Sequence, residues 1–280
     1  MLRSIILIWL GSAVLALAPA ARAGEAPLSF GIFPNLTARQ IVEIYRPLAE
    51  TLERELQRRV VIFSARDFRS FIDRTREGRY DLLLTAPHLA WLARQDAGYR
   101  PLLKYAQPVH GLLVTRADGP YGTVAALRGA TIATADPIAV TVLALEAGLA
   151  AQGLRRHVDF RSVGAGTHNN AVMQVVNGRA DAAMLGAPPF LHLPPEIRRQ
   201  LRVVAESPPL SSQMFLAHPR LNDREAQAVR RALRSFEASP QGRAFMRRGG
   251  HGGFAEVDGS ELRAFRPYAM EAQTMLRSAP

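Results

Sequence analysis

One phrase occurs twice in this chain, a hundred residues apart, and it limits the possible folds more than any other feature. The first copy is Gly78-Arg79-Tyr80-Asp81, followed by Leu82-Leu83-Leu84-Thr85-Ala86-Pro87-His88. The second is Gly178-Arg179-Ala180-Asp181, followed by Ala182-Ala183-Met184-Leu185-Gly186-Ala187-Pro188-Pro189. In each, the glycine suits the left-handed position that closes a helix. The apolar run suits a strand covered on both faces. The small residue with proline suits the first turn of another helix, for which Thr85 is the expected N-cap in the first copy. Two copies predict two α/β lobes of similar plan, in separate sheets, whose strand-to-helix turns face one cleft, where open parallel sheets bind small ligands.

The rest of the chain alternates strand and helix patterns and ends in helices. Strands are expected at Leu28–Phe33, Arg59–Ala65, Leu102–Ala106, Leu112–Thr115, Ala130–Thr134, Asp159–Val163, Leu201–Ala205 and Gln213–Ala217. Amphipathic or apolar stretches between them predict helices, Ile138–Ala151 being the most apolar, with a single long helix over Asp258–Arg277 at the end. The turn Asp118-Gly119-Pro120 is the expected first crossing between lobes and Gln213–Ala217 the return. This divides the chain into a leader at 1–23, a first lobe at 24–116, a second lobe at 117–213, and a return to the first lobe at 214–280.

The leader rests on Arg3, the apolar run Ile5–Ala18 and the small-x-small site Ala21-Arg22-Ala23 before Gly24. The apolar run is shorter than the roughly 20 residues of a membrane-spanning helix. An exported, periplasmic protein is therefore expected. The chain has no cysteine, which removes disulfides, thiolate metal sites and thiol nucleophiles. Its formal charge is +11, or +9 without Arg3 and Arg22, and Lys104 is its only lysine. Arginines spread through amphipathic helices, without an aromatic-interleaved basic patch, do not point to nucleic acid. A basic surface raises the encounter rate with anionic solutes.

Three turns join a strand end to a helix N-terminus, where free N–H groups and the helix dipole favour an anion: Thr85–His88, Thr134–Thr141 and Gly164–Asn170. They make Thr85, His88, Thr141, Thr167, His168 and Asn169 candidate ligand contacts, although capping explains Thr85 and Thr167 equally well. Asp136 is read first as an N-cap and second as a carboxylate that receives an amine or protonated acid, or repels a full dianion. Phe33 and Asn35 end the first strand where that lobe meets ligand, with a core role open for Phe33. Asp81 and Asp181 are read as structural, paired with arginine or the preceding turn, with Asp181 also a candidate for the cleft. There is no Gly-x-Ser-x-Gly elbow, metal-spaced histidine cluster or Walker loop, so neither catalytic residues nor a metal or cofactor is expected.

At these turns the sequence resembles the phosphonate- and phosphite-type periplasmic solute-binding proteins of ABC transporters. The resemblance rests on Phe30-Gly31-Ile32-Phe33-Pro34, Ala65-Arg66-Asp67-Phe68, Tyr80-Asp81 through Pro87-His88, Ala135-Asp136-Pro137, Ala165 through Ala171, and Ser239-Pro240-Gln241-Gly242-Arg243. It implies a type II periplasmic binding protein fold: two α/β lobes joined by two crossing strands, with a helical C-terminal tail. Phosphonate binders of this family hold the oxyanion with a Ser-Thr-Ser run after the Asp-Pro pair. Here the run is Ile138-Ala139-Val140-Thr141, and the family's tyrosine after the central strand corresponds to Thr85.

The expected function is a monomeric, non-enzymatic binding protein that delivers a small oxyanion (phosphonate, phosphite or phosphate) to an inner-membrane ABC permease. The alternative is a sensory protein presenting ligand to a membrane histidine kinase. With few hydroxyls and Asp136 nearby, the cleft is expected to prefer a singly charged ligand, and deprotonation of His168 near neutrality to weaken binding further as pH rises.

Overall fold

The computed structural model describes residues 26–278. The leader read at 1–23 lies outside them. The first lobe opens with β1 (Leu28–Ile32), α1 (Ala38–Leu56), β2 (Val60–Phe63), α2 (Phe68–Arg76), β3 (Leu82–Thr85), α3 (Pro87–Ala97) and β4 (Arg100–Tyr105). The chain then runs through β5 (Gly111–Arg116), β6 (Thr131–Thr134), α4 (Val140–Ala151), β7 (Arg161–Gly164), α5 (His168–Val176), β8 (Ala182–Gly186), α6 (Ala187–Leu191), α7 (Pro195–Arg198) and β9 (Leu201–Glu206). It closes with β10 (Met214–Ala217), α8 (Asp223–Ala238), α9 (Pro240–Gly249), β11 (Phe254–Ala255), α10 (Gly259–Ala264) and α11 (Arg266–Ser278).

Two sheets result, ordered β2-β1-β3-β10-β4-β11 and β7-β6-β8-β5-β9. Their plans match. Each central strand, β3 or β8, has a parallel neighbour on one side, β1 or β6, and an antiparallel one on the other, β10 or β5. The repeated phrase occupies the same place in both. Gly78 and Gly178 each follow a helix at φ +67°, a conformation that suits glycine. Asp81 and Asp181 each lock the start of the central strand to its parallel neighbour. The Asp81 N–H donates to Ser29 O at 2.9 Å, and its carboxylate accepts the Ser29 N–H at 2.7 Å and hydroxyl at 2.6 Å. The Asp181 N–H donates to Thr131 O at 2.9 Å, and its carboxylate accepts the Thr131 N–H at 2.8 Å. Among the described residues only the first copy adds an arginine: Arg220 Nε lies 2.6 Å from the Asp81 carboxylate, and its guanidinium also donates to the carbonyls of Gly78 and Tyr80.

The crossing falls earlier than expected. β5 lies between β8 and β9 in the second sheet, so the chain leaves the first sheet after Tyr105 and not at 116. Asp118-Gly119 is a turn within the second lobe, held by paired Arg116–Asp118 hydrogen bonds of 2.9 and 2.7 Å. The connecting segments, 106–110 and 207–213, touch at an antiparallel bridge between Val109 and Leu210. The return strand β10 is wholly buried and seats itself between β3 and β4.

Among the described residues, side-chain caps set six helix starts: Thr37 with Gln40 in a capping box on α1, Asp67 on α2, Thr167 on α5, Asn222 with Glu225 on α8, Ser239 on α9 and Asp258 on α10. α1 continues through Pro47, burying Ile41, Tyr45, Leu48 and Leu52 on one face. The single helix expected over 258–277 is broken at Phe265, because Pro267 lacks an N–H and its ring excludes the preceding turn's carbonyl.

The helix α11 lies against both α3 and α4, so the C-terminal segment spans the two lobes. Arg156 ties the junction. Its guanidinium is 3.5 Å from Glu146 on α4 and 3.6 Å from Glu271 on α11, and donates to the Met275 sulfur at 3.2 Å. Burial pushes the Glu146 carboxyl up to about 7, outweighing the attraction of Arg156, and the charge of Glu271 adds to the shift.

Candidate functional site between the lobes

The carboxyl ends of the parallel strands in both sheets lead into helix N-termini. At β3 and β6 these termini meet. His88, at the second position of α3, is fully buried, with Nε2 2.9 Å from the Ile138 carbonyl oxygen just before α4. That contact requires a hydrogen on Nε2. Burial holds the imidazole neutral, with its pKa down at about 4, leaving Nδ1 unprotonated and without a partner among the described residues. Ile138 and Leu143 pack into the core of the first lobe. At this point the lobes meet through the His88–Ile138 contact and an apolar seam.

Neither facing helix has a side-chain cap. Ala86 and Ala139 occupy the N-cap positions of α3 and α4, and neither can supply one. Pro87 has no N–H and the Val142 N–H donates to the Ala139 carbonyl at 2.9 Å, so His88, Leu89, Val140 and Thr141 carry the remaining first-turn N–H groups on either side of the His88–Ile138 contact. Thr141, at the second position of α4, is buried there. Asp136 is not the N-cap: a turn at 137–138 intervenes, and its Oδ1 accepts the Ile138 N–H at 2.9 Å. Burial raises its pKa, and the charge of Asp67 on the first lobe raises it further.

On α5, Thr167 is the N-cap, its hydroxyl accepting the Asn170 N–H at 3.1 Å, and Gly166 at φ +75° shapes the turn. His168 begins the helix. Its Nδ1 is buried without a partner among the described residues, and burial lowers its pKa. The imidazole is therefore neutral from below its ordinary pKa upward, so the pH response expected of His168 near neutrality shifts to lower pH. Asn169 and Asn35 are exposed, while Phe33 is buried with its ring edge-on to Phe68 at 6.1 Å.

Two expected contacts are elsewhere. Thr85 is the last residue of β3 and not a cap. Its hydroxyl is buried without a partner among the described residues, against a small void shared with Phe71, Ile72 and Leu89 on the α2 and α3 side of the sheet. Asp181 sits at the start of β8, the end of the strand away from the cleft, where it holds Thr131.

Gly111, where the chain enters β5, decides how close α4 can come. A Cβ there would lie 2.6 Å from the Thr141 carbonyl oxygen. Gly111→Ala should therefore cost about 1–3 kcal/mol through overpacking and displace the first turn of α4. Urea unfolding checks the first effect; a variant as stable as the parent would show that the contact is loose.

A family model described as the periplasmic substrate-binding protein of phosphonate ABC transporters matches residues 30–262. The chain belongs to this family. The fold is likewise that of solved binding proteins. XAC2383 from Xanthomonas citri, solved with chloride, is 20% identical over 89% of this chain and 99% of its own, with a TM-score of 0.77. The binding component PA3383 of a Pseudomonas aeruginosa phosphonate transporter is 18% identical over 90% and 89% of the two chains, also at 0.77. PhnD1 from Prochlorococcus marinus, solved with methylphosphonate, is 12% identical over 88% and 98%, again at 0.77. The type II architecture and the helical tail read from the sequence hold. Members of the phosphonate-binding family are non-enzymatic periplasmic proteins that deliver small anionic solutes to a permease. The match lends the sensory alternative no support.

Proposed function

We propose that this member of the phosphonate-binding family holds a singly charged phosphonate, phosphite or phosphate between the lobes, acts as a monomer that does not bind nucleic acid, and hands the ligand to an inner-membrane ABC permease. The observation that carries this reading is the approach of two helix N-termini without side-chain caps, α3 and α4, which the His88–Ile138 contact brings together. Together they offer N–H donors and aligned dipoles to an anion. The methylphosphonate complex of the Prochlorococcus relative supports the ligand class. Thr141 supplies a hydroxyl, and neutral His168 supplies an unpartnered Nδ1 able to accept from a protonated ligand oxygen. Asp136 opposes a second negative charge. Phe33, Asn35, His88, Thr167 and Asn169 border the same turns.

Calorimetry with phosphite, phosphate and methylphosphonate tests this from about pH 5.5 to about pH 8.5, a range that spans the second ionisation of all three. Affinity should fall as pH rises through the ligand's second ionisation. Thr141→Ala and His168→Ala should each weaken binding by roughly tenfold or more, the worth of a hydrogen bond to a charged group. Affinity that rises with pH, or that is unchanged in both variants, would overturn the assignment.

A further inference from the structure

A second space between the lobes uses none of these residues. It is an open cavity of about 710 Å³ on the other flank of the crossing segments, within the range of small-molecule sites and several times larger than a simple oxyanion needs. Its floor is the crossing itself, Gln107 to His110. One wall is α6 of the second lobe, with Pro188, Leu191 and His192; the other is α9 of the first lobe, with Arg243, Met246 and Arg247.

Its charges are unbalanced. The only carboxylate in the lining, Glu237, is already engaged, with Oε1 accepting the Phe254 N–H at 3.0 Å and Oε2 lying 3.2 Å from Arg234. Arg247 has no acidic partner among the described residues, and Arg243 donates only to the Ala238 carbonyl. His110 is 3.9 Å from Glu206, beyond hydrogen-bond reach. Two arginines therefore face the cavity with no fixed anion to neutralise them, above a surface of proline, valine, leucine and methionine side chains. A bare inorganic anion would leave that apolar surface wet, and a neutral apolar molecule would leave the arginines unanswered. An organic anion satisfies both.

We propose that this hinge-side cavity is a second binding site, for an organic anion with an apolar or aromatic body, its acidic group on Arg243 and Arg247 and its body against Pro188, Leu191 and Met246.

The probe is 1-naphthalenesulfonate, titrated by fluorescence and calorimetry into the whole protein. Saturable binding with one equivalent is expected. The double variant Arg243→Ala with Arg247→Ala should raise Kd at least tenfold, as should Leu191→Trp, which fills the cavity from a largely exposed position. Both alter solvent-facing side chains and should leave the thermal midpoint near that of the parent, which separates loss of the site from loss of the fold. Thr141→Ala and His168→Ala should leave naphthalenesulfonate binding unchanged. The proposal is overturned if the probe does not saturate, if the cavity variants bind it as the parent does, or if the cleft variants weaken it as much as the cavity variants do.

Discussion

Asp81→Ala should lower stability by about 3–4 kcal/mol, and Asp181→Ala by only about 1–2, although the two aspartates hold equivalent places in the repeated phrase. Both clamp the start of a central strand to its parallel neighbour. Removing either leaves a backbone N–H, that of Ser29 or Thr131, without its acceptor. Asp81 carries more. It also accepts the Ser29 hydroxyl and faces Arg220, while its own side chain is only 10% exposed. Arg220 is 47% exposed, which keeps the loss at the low end of what breaking a buried pair costs. Against a typical total of about 5–15 kcal/mol, the first substitution removes a large share of the stability and the second does not. Urea unfolding of the two variants, with slopes compared, decides the matter. Equal losses would mean that Arg220 contributes nothing beyond the shared clamp.

Glu146 should make the protein less stable as pH rises from about 4.5 to about 7. Its folded pKa, about 7, lies above the unfolded value of 4.5. Over that interval the folded state keeps a proton that the unfolded state has released, and stability falls where the native state binds more protons. The full loss, reached above pH 7, is about 3 kcal/mol from the size of the shift. Glu146→Gln should therefore match the parent near pH 4.5 and exceed it by up to about 3 kcal/mol at pH 8, with Arg156 and Glu271 kept in place. Unfolding midpoints of parent and variant at both pH values test this. Parallel profiles would show that burial does not hold the carboxyl neutral.

The two-lobe plan is legible in the sequence because its signals are local. A glycine, an aspartate and an apolar run at fixed offsets specify a helix end, a clamp and a buried strand, and both copies occupy the places expected of them. What the sequence does not show is membership over distance. Leu112–Thr115 reads as a strand, but nothing in it says which sheet receives it, and the Asp118-Gly119-Pro120 breaker is a stronger local signal than the true crossing at 106–110. Thr85 ends an apolar run that is buried on both faces, so its spacing cannot say which face the hydroxyl takes; it takes the one away from the cleft. Asp136-Pro137 carries the pattern of a helix start, but the chain makes a further turn first. The opposed bare caps at Ala86 and Ala139 are visible as alanines, whereas their convergence is a property of two lobes coming together. His110, His192, Arg243 and Arg247 come from three distant segments, and no local pattern unites them.

The position of β10 has a consequence for the order in which the molecule can assemble. β3 and β4 do not pair with each other; each pairs with β10, which lies between them. Until residues 214–217 have been made, the first sheet has a strand-wide gap at its centre and β4 has no place in it. The second sheet draws all five of its strands from 111–206 and is complete by then. The lobe that begins first therefore finishes last. Its early segments wait, with β3 and β4 presenting unpaired edges, for a strand that the chain makes only after the inserted lobe.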